Sequence, residues 1–192
     1  MSSDLLTGKF PIVCKTFESA FSGVSLEDFS CEINRVNPSL IRVDAEEVSY
    51  GLHIILRFEL EQALISQQLQ VTDLKDAWNE LYKKYLGIAP PDDLQGVLQD
   101  VQWYSGAIGY FPTYLLGAMY AAQIFERMKS DLPNMMAEIE KGEFRSTLAW
   151  LQKNIHQYGK RFSSVDLIER ATGSRPKTEP LINHLSRKVN AY

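Results

Sequence analysis

Three histidines, His53, His156 and His184, are the side chains of this sequence best suited to proton transfer or metal binding. None is followed by glutamate, and no two lie four or fewer residues apart. In the H-E-x-x-H pattern two histidines one turn apart share a helix face and bind zinc, while the glutamate polarises water. That pattern does not occur in these 192 residues. A site assembled from His53 with Glu46 or Glu47 is weakly signalled, and a hydrogen-bonded core histidine is the commoner situation. His156 and His184 read as surface or half-buried residues of amphipathic helices. No serine sits in a G-x-S-x-G elbow, and residues 106–109 lack the preceding strand that a nucleotide-binding glycine loop requires. Trp103, Tyr104, Tyr110, Phe111 and Tyr114 could stack on bases, but no basic groove accompanies them. Packing in a core or a cleft is the preferred reading, with no nucleic-acid partner.

The most informative chemistry lies on residues 44–68, a long segment without proline. Ala45, Val48, Leu52, Ile54, Ile55, Leu56, Phe58, Leu60 and Leu64 place apolar side chains on nearly every side, the pattern of a buried helix. Glu46, Ser49, Tyr50, His53 and Arg57 recur at spacings of three and four, so they form one polar stripe along it. Buried charge is costly unless paired or facing a wet cavity. The stripe therefore belongs to an ion-pair network or lines a cleft, and the sequence favours the network.

The elements around this helix are helical too. Residues 11–21 predict a short helix ended by Ser22 and Gly23. Ser25 followed by Asp28 predicts a capped second helix to about Val36. Asn37-Pro38-Ser39 breaks it, and residues 40–43 predict a short extended piece. Residues 73–86 predict an amphipathic helix capped by Asp73 and stopped by Gly87, with Leu74, Ala77, Trp78, Leu81 and Tyr85 on its core face. Residues 96–110 predict an irregular, buried, aromatic loop. Pro112 suits the first turn of a helix to about Lys129, packed through Leu115, Ala118, Met119, Ala122 and Phe125. The last third predicts three or four short helices, with breaks at Pro133, Gly142, Gly159, Gly173 and Pro176. The fold class is all-α, with residues 1–192 as a single helical region.

Bulk properties bound the function. Hydrophobic residues make up 45% and charged residues 23%, which suits a globular chain and argues against disorder. The net charge is −4, and no dense basic run marks a surface for polyanions. Residues 101–125 carry no charge, long enough to span a bilayer, but Gly106, Gly109, Pro112 and interspersed polar residues argue for burial instead. Cys14 and Cys31 form no C-x-x-C pair and suit a reducing compartment. The first residues show no secretory pattern, so a cytoplasmic location is expected.

Three strings carry a resemblance when taken together. Residues 41–50, I-R-V-D-A-E-E-V-S-Y, are similar to the signature I-R-x-x-A-D-E-V-[ST]-Y, and residues 52–61 continue it. Residues 96–103, G-V-L-Q-D-V-Q-W, are similar to G-x-x-Q-D-x-H-W, and residues 109–114 are G-Y-F-P-T-Y without change. Their order and intervals resemble the C-terminal part of the zinc-dependent carboxypeptidases of the thermostable carboxypeptidase (Taq) family, over residues 10–192. The resemblance implies a zincin-like, neurolysin-like helical metallopeptidase fold and removal of single residues from peptide C-termini. It also implies zinc in the parent enzymes and frequent homodimers. The family's metal ligands lie in H-E-x-x-H and H-E-S motifs that this sequence lacks, so no metal is expected on this chain alone. By the same resemblance Arg42 grips the substrate's terminal carboxylate, which suits a forked guanidinium. A structural ion pair is the alternative for Arg42. Tyr110 and Tyr114 lie in the motif that supplies a phenol to the oxyanion, while His53 and Glu46 complete the substrate side. Gln102 stands where the motif has histidine, and it can hydrogen-bond but cannot carry a proton at neutral pH.

Three readings follow from this. A separate chain carrying H-E-x-x-H completes the enzyme; or the chain binds peptide C-termini, or a full-length relative, without turnover; or it is a remnant without activity.

Overall fold

The computed structural model describes residues 3–191, with side chains from Gly8 to Asn190. Among these residues every regular element is helical. They are α1 (Ser3–Thr16), α2 (Glu18–Phe21), α3 (Leu26–Ile33), α4 (Glu47–Ile65), α5 (Leu74–Leu86), α6 (Phe111–Asp131), α7 (Met135–Lys141), α8 (Arg145–Asn154), α9 (Ser164–Thr172) and α10 (Glu179–Ala191). Short 3-10 turns occupy Arg42–Asp44, Val71–Asp73 and His156–Tyr158. The chain forms two compact units: residues 36–118, and residues 1–35 together with 119–192.

The unit of residues 36–118 is built on α4 and α5. Glu46 caps α4, its carboxylate accepting the amides of Val48 and Ser49 at 2.5 and 2.6 Å. These donors have no partner within the helix, so the cap removes an unsatisfied pair and adds negative charge where the helix dipole favours it. At the other end Gln67 takes a left-handed φ of 61°. There Gln68 donates to the carbonyl of Ala63 and Gln67 to that of Leu64, the hydrogen bonds of a Schellman ending usually completed by glycine. Leu56, Leu60, Trp78, Tyr82 and Leu86 form the core, with Leu40, Leu52, Leu74, Ala77, Leu81, Tyr85 and Trp103 against it. Trp78 stacks on Tyr82 at 5.4 Å and meets Trp103 edge-on at 6.2 Å. Each large side chain buried here contributes about 1.5–3 kcal/mol.

Three expectations change in this unit. Residues 42–44 are a 3-10 turn, and only Ile41 keeps the extended conformation predicted for 40–43. The cause is tertiary, because the Arg42 amide is taken by the Gln99 side chain at 2.9 Å. Asp73 precedes α5 but makes no side-chain cap, since the 3-10 turn before it already gives it a helical backbone. Gly87 ends the helix at φ 73°, as read. The loop before α6 is irregular as expected but not buried. Val101, Tyr104 and Ile108 are exposed, while Gln99, Asp100 and Trp103 point inward.

In the other unit α1 starts earlier than predicted and runs through Pro11, with α2 separate after Phe17. Ser25 caps α3 through the Asp28 amide, but the helix stops at Ile33 rather than near Val36. Phe10, Phe21 and Phe29 cluster with centroids 4.9–6.4 Å apart. A Cβ on Gly8 would sit 2.5 Å from the Glu140 carbonyl oxygen, so glycine is what lets α1 and α7 approach. Met128, Met135, Trp150 and Ala171 form the second core. Phe125, expected on the packing face of α6, is exposed. Its place is taken by Gln123, whose amide reaches Thr172, Ser174 and the Arg175 carbonyl.

Candidate functional site

The unit of residues 36–118 carries a buried polar cluster centred on Asp100. Arg42 donates from Nε to Asp100 Oδ1 at 2.8 Å, and Arg57 from Nε to Oδ2 at 2.5 Å. Two guanidiniums thus share one carboxylate. Gln99 completes the frame. Its Oε1 accepts from the Arg42 amide at 2.9 Å and from Arg57 Nη2 at 2.8 Å. Its Nε2 reaches the Leu40 carbonyl, the Tyr82 hydroxyl and the Gln95 carbonyl at 2.9–3.1 Å. Arg57 uses its remaining edge on the His53 carbonyl at 2.8 Å and lies over Trp78 at 4.6 Å. It is wholly buried, and each of its three nitrogens has a hydrogen-bond partner, as a desolvated cation requires.

Arg42 is held differently. Its Nη1 donates to the Tyr50 hydroxyl at 3.2 Å, and its guanidinium faces the rings of Tyr114, Phe111 and Tyr50 at 5.2–5.9 Å. Burial, the largest influence, pulls its pKa down, but Asp100 and Tyr50 outweigh it and hold the group more firmly charged than usual. Among the described residues its Nη2 makes no hydrogen bond. Counting His53 as neutral, Arg42, Arg57 and Asp100 leave one net positive charge. An anion is what that environment accepts best.

His53 is fully buried. Burial, reinforced by the Arg57 charge, lowers its pKa to about 4, so it is neutral near pH 7. Tyr82 donates its single proton to the Leu40 carbonyl at 2.8 Å. Tyr82 also meets His53 Nδ1 at 3.1 Å, a contact whose donor is set by the imidazole tautomer. His53 Nε2 is enclosed and has no hydrogen-bond partner among the described residues. Burial also raises the Tyr82 pKa.

The remaining predicted residues fall into two groups. Tyr114 accepts from Gln102 Nε2 at 3.1 Å and packs edge-on against Tyr110 at 5.3 Å and Tyr50 at 6.5 Å. Tyr110 is half exposed, with no hydrogen bond on its hydroxyl among the described residues. Arg42, Gln102, Tyr110 and Tyr114 therefore join one surface through direct contacts and shared rings. His53 lies behind it in the network, and Glu46 serves as the cap of α4. Sequence reasoning assigned no role to Gln99 or Asp100, and it placed Arg57 on the polar stripe without naming its partner. The signal was present in the adjacent Q-D pair and in Arg57 on the polar stripe.

A metal ion does not fit this surface. No group of three His, Cys, Asp or Glu among the described residues could hold one. His53 is enclosed, and its Nδ1 is committed to Tyr82.

Comparison with known proteins gives the class, a helical metallopeptidase fold. The M32 carboxypeptidase from Deinococcus radiodurans R1 superposes with a TM-score of 0.93 at 37% identity, over 97% of this chain and 38% of that one. The family profile described as Carboxypeptidase Taq (M32) metallopeptidase matches residues 2–189, and the chain belongs to that family. Carboxypeptidase 1 of Bacillus subtilis is 48% identical over 170 residues, covering 88% of this chain and 34% of the relative. Thermostable carboxypeptidase 1 of Thermus thermophilus is 46% identical over 182 residues, covering 95% and 36%. The chain thus spans about a third of the length of the curated relatives it matches.

Proposed function

We propose that residues 36–118 form the substrate side of a metallocarboxypeptidase cleft, in which Arg42 receives the terminal carboxylate of a peptide. The observation that carries this is the unequal charge of the cluster, two arginines on one aspartate, with Arg42 Nη2 left open beside Tyr114. A carboxylate docking there completes the charge balance and finds donors in a forked geometry. Tyr110 and Tyr114 supply phenol groups that stabilise charge developing on the carbonyl oxygen being attacked. Gln102 orients Tyr114 through its amide. His53 and Glu46 act from behind, through the network and the α4 cap.

Zinc belongs to residues outside this cluster, carried by a separate polypeptide or by a longer chain, and the active form includes those residues. A cytoplasmic setting and a homodimer are parts of the same reading. Gln102 favours one second reading, capture of peptide C-termini without hydrolysis, because an amide cannot exchange a proton as the motif's histidine would.

Comparing a peptide having a free C-terminal carboxylate with its C-terminal amide tests the first step. The 192-residue chain should bind the acid at least about tenfold more tightly, of the order expected for a charge-assisted pair. Arg42→Ala should remove the preference. Equal binding of acid and amide would overturn the assignment of Arg42. Amino-acid release with zinc, measured after adding a chain that carries H-E-x-x-H, separates hydrolysis from capture.

A further inference from the structure

The same unit holds a buried carboxylate that no basic side chain among the described residues neutralises. Glu61 is only 5% exposed. Its Oε1 accepts the Gly109 amide at 2.6 Å, while Oε2 is shielded from water and has no hydrogen-bond partner. No basic side chain pairs with it among the described residues. A carboxylate in this state is expensive unless a cation or donor reaches it.

Glu61 lines a groove of about 670 Å³ at the C-terminal end of α4. Phe58, Ile65 and Ile108 form apolar walls, all substantially exposed to the groove's solvent. None of the lining residues is basic, and the last turn of α4 carries no basic residue to meet the negative end of the helix dipole. Glu59 also lines the groove, but its carboxylate already accepts from the Tyr85 hydroxyl at 2.8 and 2.9 Å. Only Glu61 has a carboxylate oxygen that is enclosed without a partner among the described residues.

We propose that this groove binds an organic cation, a primary ammonium or guanidinium on an apolar stem, with Glu61 as its counter-charge. The stem lies against Phe58, Ile65 and Ile108. Glu61 is among the residues lining the groove, so the cation approaches its carboxylate from there and competes with the Gly109 amide for it. A bare metal ion fits less well, because a single carboxylate among apolar walls offers too few oxygen ligands. The cation is either a free amine or a lysine or arginine side chain of another polypeptide. Because Glu61 also holds the Gly109 amide next to Tyr110, that amide reports occupancy. The inference stands whether or not the chain takes part in peptide hydrolysis.

Titration of the full 192-residue chain with n-pentylamine, followed by the NMR resonance of the Gly109 amide, tests it. A saturable shift is expected, with pentan-1-ol binding at least about tenfold more weakly because it lacks the charge. Glu61→Gln should weaken the amine by a similar factor. Ile108→Lys, which places an ammonium in the groove and leaves Glu61 intact, should abolish amine binding even if the glutamine variant folds poorly. A capped peptide with one lysine between two leucines distinguishes the sources. Tighter binding than pentylamine assigns the groove to a side chain of another polypeptide, and weaker binding to a free amine. No saturable shift with either ligand, or equal binding of amine and alcohol, would overturn the proposal.

Discussion

Asp100, largely shielded, and Glu61, buried, are both carboxylates of the unit of residues 36–118, and their surroundings are opposite. Asp100 is shared by two guanidiniums, so its neighbourhood carries one positive charge too many. Glu61 has one amide and an unpartnered oxygen, so its neighbourhood carries one negative charge too many. An excess that persists in a low-dielectric interior marks a place where a charge from outside the unit is accommodated. The first excess opens through Arg42 toward Tyr114, the second toward an apolar groove. The difference teaches that burial alone does not separate structural charges from receptive ones. The charge balance does: every nitrogen of Arg57 has a partner, while Arg42 Nη2 and Glu61 Oε2 have none among the described residues.

Removing the shared partner should be the most damaging change. Asp100→Asn leaves two buried guanidiniums facing one another without a counter-charge, and breaking such a pair costs about 3–5 kcal/mol. Urea unfolding should show that loss, and a variant within about 1 kcal/mol of wild type, the scale of a solvent-exposed pair, would mean the cluster is wetter than described.

Acid should act nearly as strongly through His53. The unfolded residue takes up a proton near its ordinary pKa of 6.5, whereas the folded one does so only near 4. Between those values the unfolded chain binds more protons, so this contribution to stability is complete above pH 6.5 and is lost as pH falls toward 4. The full loss is roughly 3 kcal/mol, from about 1.4 kcal/mol per unit. His53→Gln should flatten the stability profile in that window, and an unchanged slope would remove His53 as its cause.

Glu61→Gln should behave unlike Asp100→Asn. No cation is stranded and the Gly109 amide keeps an acceptor, so stability should move by at most about 1 kcal/mol, in either direction. A loss as large as that of Asp100→Asn would show that an internal cation already serves Glu61.

The smallest effect is expected at the end of α4, beside the groove. Gln67→Gly relieves a left-handed backbone at an exposed position, and the gain should be about 0.5–1 kcal/mol after glycine's entropy cost. A loss on thermal melting would mean that the Gln67 side chain makes a stabilising contact.

Much of this was legible residue by residue. Local rules work where the controlling partner is near in sequence. Ser25 caps α3 through an amide three residues on, and Gly87 ends α5 because its own φ is positive. The apolar spacing of residues 73–86 found Trp78 and the partly buried Leu74, Ala77, Leu81 and Tyr85 of α5, but not Tyr82 and Leu86, which are buried with Trp78. The polar stripe on α4 was likewise visible, as was its place in a network. Compositional rules failed where a polar group was recruited inward. On α6 Gln123 is buried, its amide meeting several groups at once, while Phe125 is exposed, and no hydrophobic pattern records that.

The sequence by itself determined the helical class, the family motifs and the residues available for chemistry, since propensity, capping and periodicity act over a few residues. Only the tertiary structure decided which charges were satisfied. Asp100 meets Arg42 and Arg57 across 58 and 43 residues of chain, and Glu61 meets Gly109 across 48. The energy of a buried charge depends on every group within a few ångströms of it. Such neighbours are chosen by packing, so the receptive positions, Arg42 beside Tyr114 and Glu61 above its groove, become visible only once the chain has folded.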